Sequence, residues 1–160
     1  MFLSIRVKFL IAGGFKSLLE SVEHAEDNEK QANLDFKDSL VSKDDIIIAI
    51  TASGNTPYTC RIAKLSAENK SLVIGLVNNP HSNLKKFCSH TILLNTGPEV
   101  LAGSTRLKAG TSQKICLNLI STLLMSSLGR VKNGHMSHMV VTNSKLKDRQ
   151  KRIDNSLGFE

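Results

Sequence analysis

The sequence predicts an α/β fold in which a mainly parallel sheet lies between helices, and three features carry that expectation. Short apolar runs at Ile46 to Ile50, Leu72 to Val77 and Thr91 to Leu94 alternate with segments whose apolar residues recur at helical spacing. The first run is continuously apolar and mostly β-branched, as a strand covered on both faces of a parallel sheet is. Clusters of Ser, Gly, Asn and Pro punctuate the runs, and strand-helix-strand units of this kind cross over to a parallel neighbour.

In chain order, Val7 to Ala12 is an apolar run ended by Gly13-Gly14, and Phe15, Leu18, Leu19 and Val22 follow at helical spacing, which predicts strand, turn and helix. Glu23 to Gln31 is strongly polar, then Ala32, Leu34, Phe36 and Leu40 restore an apolar side, giving one interrupted helix or two short ones. Ile46 to Ile50 is the strongest strand. Thr51 to Thr56 forms a polar loop, Pro57 stands in a first helical turn, and Ile62, Ala63 and Leu65 supply the helix's apolar side. After the strand Leu72 to Val77, Asn78-Asn79-Pro80 turns the chain, Leu84 and Phe87 mark a short helix, and Thr91 to Leu94 is a last short strand before Gly97-Pro98. Arg106 to Leu128 reads as a long helix bearing Leu107, Ile115, Leu117, Leu119, Ile120, Leu123 and Leu124, the expected central packing helix. Beyond Gly129 the chain turns basic, with a solvated helix over Lys145 to Arg152 and a frayed tail to Glu160.

Composition bounds the function. With 160 residues, 41% hydrophobic and 22% charged, the chain suits one folded, soluble domain. Cys60, Cys88 and Cys116 are odd in number and widely spaced, so neither a disulfide framework nor a C-x-x-C metal site can be written, and a reducing cytoplasm fits best. Arg6 and Lys8 interrupt the apolar start, against a secretory signal, and Ile115 to Leu128 falls short of the ~20 apolar residues a membrane span needs. His135 and His138 lack the companions of a metal site, and no cofactor is expected. The basic tail has no interleaved aromatics in a chain only 4% aromatic, which argues against nucleic acid. Charge is uneven: Met1 to Asp45 holds six basic and nine acidic residues, the remainder fifteen and five, so the second part favours anionic partners.

Two segments carry candidate chemistry. In Ile46 to Pro57 a strand feeds a hydroxyl-rich loop, Ser53-Gly54-Asn55-Thr56, at a helix start, where unpaired backbone N–H groups and the helix dipole favour an anion. A phosphate site and a purely structural helix cap both fit that loop. The second segment, Gly97 to Thr111, brings Glu99, Ser104, Thr105, Arg106 and Lys108 together at the start of the long helix.

That second cluster, Gly97-Pro98-Glu99-Val100-Leu101-Ala102-Gly103-Ser104-Thr105-Arg106-Leu107-Lys108-Ala109-Gly110-Thr111, resembles the signature of the N-acetylmuramic acid 6-phosphate etherases, SIS-domain proteins related to glucokinase regulatory protein. The resemblance continues in Ile11-Ala12-Gly13-Gly14, in Val22 to Asp27, in Ala52 to Tyr58, in Ala109 to Lys114, in Asn118 to Thr122 and in Thr142 to Leu146. It implies a three-layer, flavodoxin-like parallel sheet flanked by helices, a homodimer, and cofactor-free cleavage of the D-lactyl ether of N-acetylmuramic acid 6-phosphate. The products are N-acetylglucosamine 6-phosphate and D-lactate. Such an elimination needs a base for the proton on carbon two and an acid for the departing lactate oxygen. The resemblance assigns the base to Asp27, which by itself reads as one more charge on a solvated face. It assigns phosphosugar contacts to Ser53, Gly54, Asn55, Thr56, Glu99, Ser104, Thr105, Arg106 and Lys108.

The chain departs from the pattern in three places. A Gly-Thr-Ser-Gly-Arg-like loop and a catalytic Glu belong ahead of Ile11, and Met1 to Leu10 holds neither. Asn55 stands where Arg is usual, which removes a bidentate phosphate partner. A C-terminal helical extension is also missing. The expectation is therefore a partial SIS domain over residues 1–153, without the first strand, and a tail over 154–160. It is an etherase-like lyase or a fragment of one, with a phosphosugar-sensing module and an inactive remnant as alternatives.

Overall fold

The computed structural model describes residues 7–137 and 142–157. The chain divides into two compact units, Met1–Gln113 and Lys114–Glu160.

The first unit is built on three parallel strands, β1 (Ile46–Thr51), β2 (Leu72–Val77) and β3 (His90–Leu93), in the order β1-β2-β3. Ile48 stands beside Ile74, and Leu76 beside Ile92, so the three strands end at one level. Helix α1 (Glu29–Ser39) starts where the Asn28 side chain accepts the Gln31 N–H at 2.9 Å, and it stops at Leu40, whose φ of 54° is left-handed. Helix α2 (Pro57–Glu68) opens on Pro57, where a missing N–H costs nothing. The core gathers Ala49, Val73 and Val77 of the sheet with Ala63 of α2 and Leu84 of the 3-10 helix Asn83–Phe87. Ala32, Tyr58 and Ile62 bury the contact between α1 and α2. Gly75 lets the Asn83–Phe87 turn press on the sheet, because a Cβ there would stand 2.8 Å from Cys88 Sγ.

Three expectations are corrected in these elements. Residues 7–11 form no strand, and a 3-10 helix at Gly14–Leu18 follows. A strand exists only through its ladder, and among the described residues this segment has no ladder partner; Lys8 Nζ ties it to α1 by donating to the Ser39 carbonyl at 2.6 Å. β1 is not covered on both faces: Ile46, Ile48 and Ile50 are 62%, 37% and 36% exposed, while Ala49 on the other face is 5% exposed. The core of α2 and the Asn83–Phe87 turn lies on the Ala49 side, and β1 is the sheet's edge. Helix α3 (Lys108–Ser127) forms as the periodicity predicts but is not a central packing helix. Ala109 is its buried residue, while Ile115, Leu119 and Leu123 are more than half exposed.

The second unit holds the rest of α3, a hairpin and helix α4 (Ser144–Leu157). The hairpin pairs β4 (Val131–Lys132) with β5 (His135–Met136) across Asn133-Gly134, whose φ values of 49° and 76° are those of a tight primed turn. The Asn133-Gly134 dipeptide is its signal in the sequence. Asn143 Oδ1 accepts the Leu146 N–H at 3.0 Å at the start of α4, and Ile153 is buried. His138 and the end of the tail, 158–160, lie outside the described residues.

Candidate functional site

In open α/β sheets ligands bind beyond the carboxyl ends of the strands. All three parallel strands here end on the same set of loops. Thr51 closes β1, and its hydroxyl lies 2.8 Å from Thr56 Oγ1 and 3.3 Å from Ser53 Oγ. Ser53 Oγ accepts the Asn55 N–H at 3.1 Å, which folds the loop back on itself. Gly54 has a φ of 72° and sits against Ser82, with Ser82 Cα 3.0 Å from the place a Cβ would take. Its carbonyl accepts the Leu84 N–H at 2.9 Å and the Ser82 hydroxyl at 3.2 Å. Asn55 Oδ1 accepts the Asn83 N–H at 3.0 Å, so its side chain ties two loops together. The Thr56 side chain makes no cap on α2 and bonds to Thr51 instead.

The second cluster is organised by Glu99. Its carboxylate accepts the Lys108 N–H through Oε2 and the Ala109 N–H through Oε1, both at 2.9 Å, at the first turn of α3. These backbone donors hold the carboxyl below its ordinary range, the Ala109 bond contributing most. Glu99 thus places a negative charge on the positive end of the α3 dipole.

An open cavity of about 460 Å³ lies between the two clusters, lined by Ala52, Ser53, Asn78, Thr96, Glu99 and Thr105 among others. The geometry thus brings together Ser53, Glu99 and Thr105 of the sequence candidates. Gly54, Asn55 and Thr56 flank Ser53 in the same loop without lining the cavity, and Ser104, Arg106 and Lys108 flank Thr105 in the same way. Asp27 is not among the lining residues; it ends an exposed 3-10 helix, Ala25–Asp27, entered through His24 at a φ of 58°. Among the described lining residues Glu99 is the ionisable one, so the cavity carries a single carboxylate.

Sequence reasoning missed Asn78, Asn79 and Thr96. Asn78 follows β2 as Ala52 and Ser53 follow β1, and Asn95-Thr96 come just after β3, so position at a strand's carboxyl end was the signal available. A second cavity, about 630 Å³, is lined by Lys8, Phe9, Ile11, Phe15 and Leu18 with Asp35 and Asp38 of α1, and holds none of the candidates. Cys60 and Cys88 are half-buried, and burial pushes both thiols up, which disfavours the nucleophilic thiolate. Among the described residues no group of three or more His, Cys, Asp or Glu is placed to hold a metal, and no helix is long and apolar enough to cross a membrane.

Comparison with known proteins adds to this geometry. The chain is 44% identical over 144 residues to an N-acetylmuramic acid 6-phosphate etherase of Deinococcus radiodurans, covering 90% of this chain and 47% of that protein. It is 42% identical over 147 residues to the etherase of Geobacillus thermodenitrificans, covering 92% and 50%, and 44% identical over 146 residues to that of Petrotoga mobilis, covering 90% and 48%. The chain thus spans about half the length of the curated relatives it matches. Among solved structures, the Vibrio vulnificus NanR protein complexed with ManNAc-6P superposes with a TM-score of 0.52 at 17% identity, over 81% of this chain and 44% of that one, a likeness of fold. The SIS domain profile matches residues 11–123. With its parallel sheet, its loops gathered at the strand ends and this match across most of its length, the chain belongs to the SIS domain family.

Proposed function

We propose that this chain binds a phosphorylated amino sugar at the ends of β1, β2 and β3, and that it carries part of an N-acetylmuramic acid 6-phosphate etherase. The observation that carries the reading is the shared cavity of Ser53 and Thr105, because two hydroxyl loops on separate elements converge on one space. The hydroxyls of Ser53, Thr96 and Thr105 and the amides of Asn78 and Asn79 offer donors to a phosphate in that space, with Arg106 and Lys108 beside Thr105 in sequence, while the carboxylate of Glu99 suits sugar hydroxyls. Identity above 40% to named etherases over nine-tenths of the chain supports the substrate class.

In the reaction the open-chain sugar presents an acidic proton on carbon two beside its aldehyde. Asp27 takes that proton as the electron pair forms the carbon-carbon double bond and the bond from carbon three to the lactate oxygen breaks. An acid protonates the lactate oxygen, and water then adds at carbon three. The chain functions in this reading as a cytoplasmic dimer. The exposed place of Asp27, outside the cavity lining, favours a second reading in which the chain senses the phosphosugar without cleaving it.

Calorimetry with N-acetylmuramic acid 6-phosphate, followed by a D-lactate release assay, tests both. Binding with lactate release supports the lyase, and loss of carbon-two proton exchange in deuterated water on Asp27→Asn supports its base. Binding without lactate supports the sensor. No binding refutes the phosphosugar site altogether.

A further inference from the structure

Asn78 joins more of the cavity than any residue singled out from the sequence. Its backbone N–H donates to the Ala52 carbonyl at 3.0 Å, in the loop that carries Ser53. Its side-chain Nδ2 donates to the Leu94 carbonyl and to Ser112 Oγ, both at 2.9 Å, with Thr96 Oγ1 farther off at 3.4 Å. Its Oδ1 accepts from Gln113 Nε2 at 2.9 Å. Ser112 gives its own proton to the Ala109 carbonyl at 2.8 Å, so its oxygen faces Asn78 as an acceptor. Ala109 in turn donates its N–H to Glu99. Half-buried Asn78 therefore holds the loop after β1 through its backbone N–H and the loop after β3 and the opening turns of α3 through its side-chain amide, and so joins the Ser53 wall to the Glu99 wall of the cavity.

We propose that Asn78 is the positioning residue of the cavity, fixing the Gly97–Leu107 loop and the first turn of α3 against the Ser53 loop so that both walls meet one sugar phosphate. The proposal rests on the phosphosugar reading above for its ligand, but not for its effect on the loop. No other side chain of this size serves: a carboxylate has no proton for Leu94 or Ser112, and a leucine satisfies none of the four partners.

The test uses the full chain and the near-isosteric Asn78→Asp. Affinity for N-acetylmuramic acid 6-phosphate falls about tenfold or more, the scale of leaving such partners unmade. Hydrogen exchange at Ser104, Thr105 and Leu107, whose N–H groups bond within the loop, accelerates while exchange in β1 and α2 stays at the parent rate. Loss of affinity with unchanged loop exchange overturns the proposal, since Asn78 then acts only by touching the ligand. Equal acceleration everywhere also overturns it, as does a loosened loop with parent affinity. If the parent does not bind, the phosphosugar reading fails and the exchange pattern alone decides for or against Asn78. Should Asn78→Asp not fold, Gln113→Met, which removes one bond of the set, is judged by the same outcomes at a smaller size.

Discussion

Gly54 is the position at which the geometry makes the sharpest demand on the sequence. Its φ of 72° costs any L-residue about 1–2 kcal/mol. A methyl group there also collides with the Ser82 side chain and stands 3.0 Å from Ser82 Cα, so the loop has to move. Movement breaks the 2.9 Å bond from the Leu84 N–H to the Gly54 carbonyl, worth about 1 kcal/mol. Gly54→Ala is therefore expected to destabilise the chain by about 2–3 kcal/mol. Gly14→Ala is the control: its φ of 66° is equally left-handed, but nothing lies within 4 Å of the added methyl, which leaves about 1–2 kcal/mol from conformation alone. Urea unfolding with unchanged slope measures both. Adding Ser82→Gly to Gly54→Ala removes the nearest clashing atoms and should recover part of the excess, a coupling between the two sites. Equal costs for Gly54→Ala and Gly14→Ala, or no coupling to Ser82, would refute the argument that contact with Ser82 dictates the loop.

Two further outcomes follow from side chains outside the loop. Tyr58 is buried, and its hydroxyl donates to Asp35 Oδ2 at 2.6 Å, joining α2 to α1; burial, then the Asp35 carboxylate, push the phenol up. Tyr58→Phe should cost about 1.5 kcal/mol, the low end for a bond to a charged group because Asp35 is half-exposed, and a loss below about 0.5 kcal/mol in urea unfolding would contradict it. Glu99 has its carboxyl lowered in the folded chain, so its cap on α3 is present above the unfolded-state value and is lost as pH falls through the folded one. Melting followed from about pH 6 down to about pH 3 should show Glu99→Gln less stable at the upper end and converging with the parent in acid, whereas parallel curves would remove Glu99 from the cap.

What the sequence disclosed about the fold was local. β2 is legible at its observed ends, and so is the short helix at Leu84 and Phe87, because each is specified by residues within its own span: an apolar run in one, a pair of anchors in the other. Val7 to Ala12 carries the same kind of run and forms no strand, since a ladder partner is not a property of the segment that needs one. The isoleucines of β1 mislead for a related reason. Ile46, Ile48 and Ile50 announce a covered face, and whether anything covers it depends on chain elsewhere. Leu119 and Leu123 of α3 announce a packing stripe in the same way and stay more than half exposed. Apolar pattern reports what a surface requires, and only tertiary contact reports whether it is met.

The site was legible where chemistry and backbone coincide. Ser53 and Thr105, which line the cavity, stand out in the sequence because hydroxyl loops at helix starts are recognisable; Glu99 stands out without its reason, since nothing in the chain announces that a carboxylate nine residues before Lys108 returns to cap that helix. Asn78 shows the complementary failure. In the sequence it is half of an Asn-Asn-Pro turn, and turns are what asparagines ordinarily make. Its partners lie 16 to 35 residues away and include two backbone carbonyls, groups that every residue possesses and that no pattern can flag. A residue whose role is to satisfy distant backbone is therefore silent in the sequence in proportion to how many elements it joins. Strand ends deserve to be read together for that reason: once β1, β2 and β3 are assigned, Ser53, Asn78 and Thr96 are brought to one rim by topology alone, whatever their side chains suggest separately.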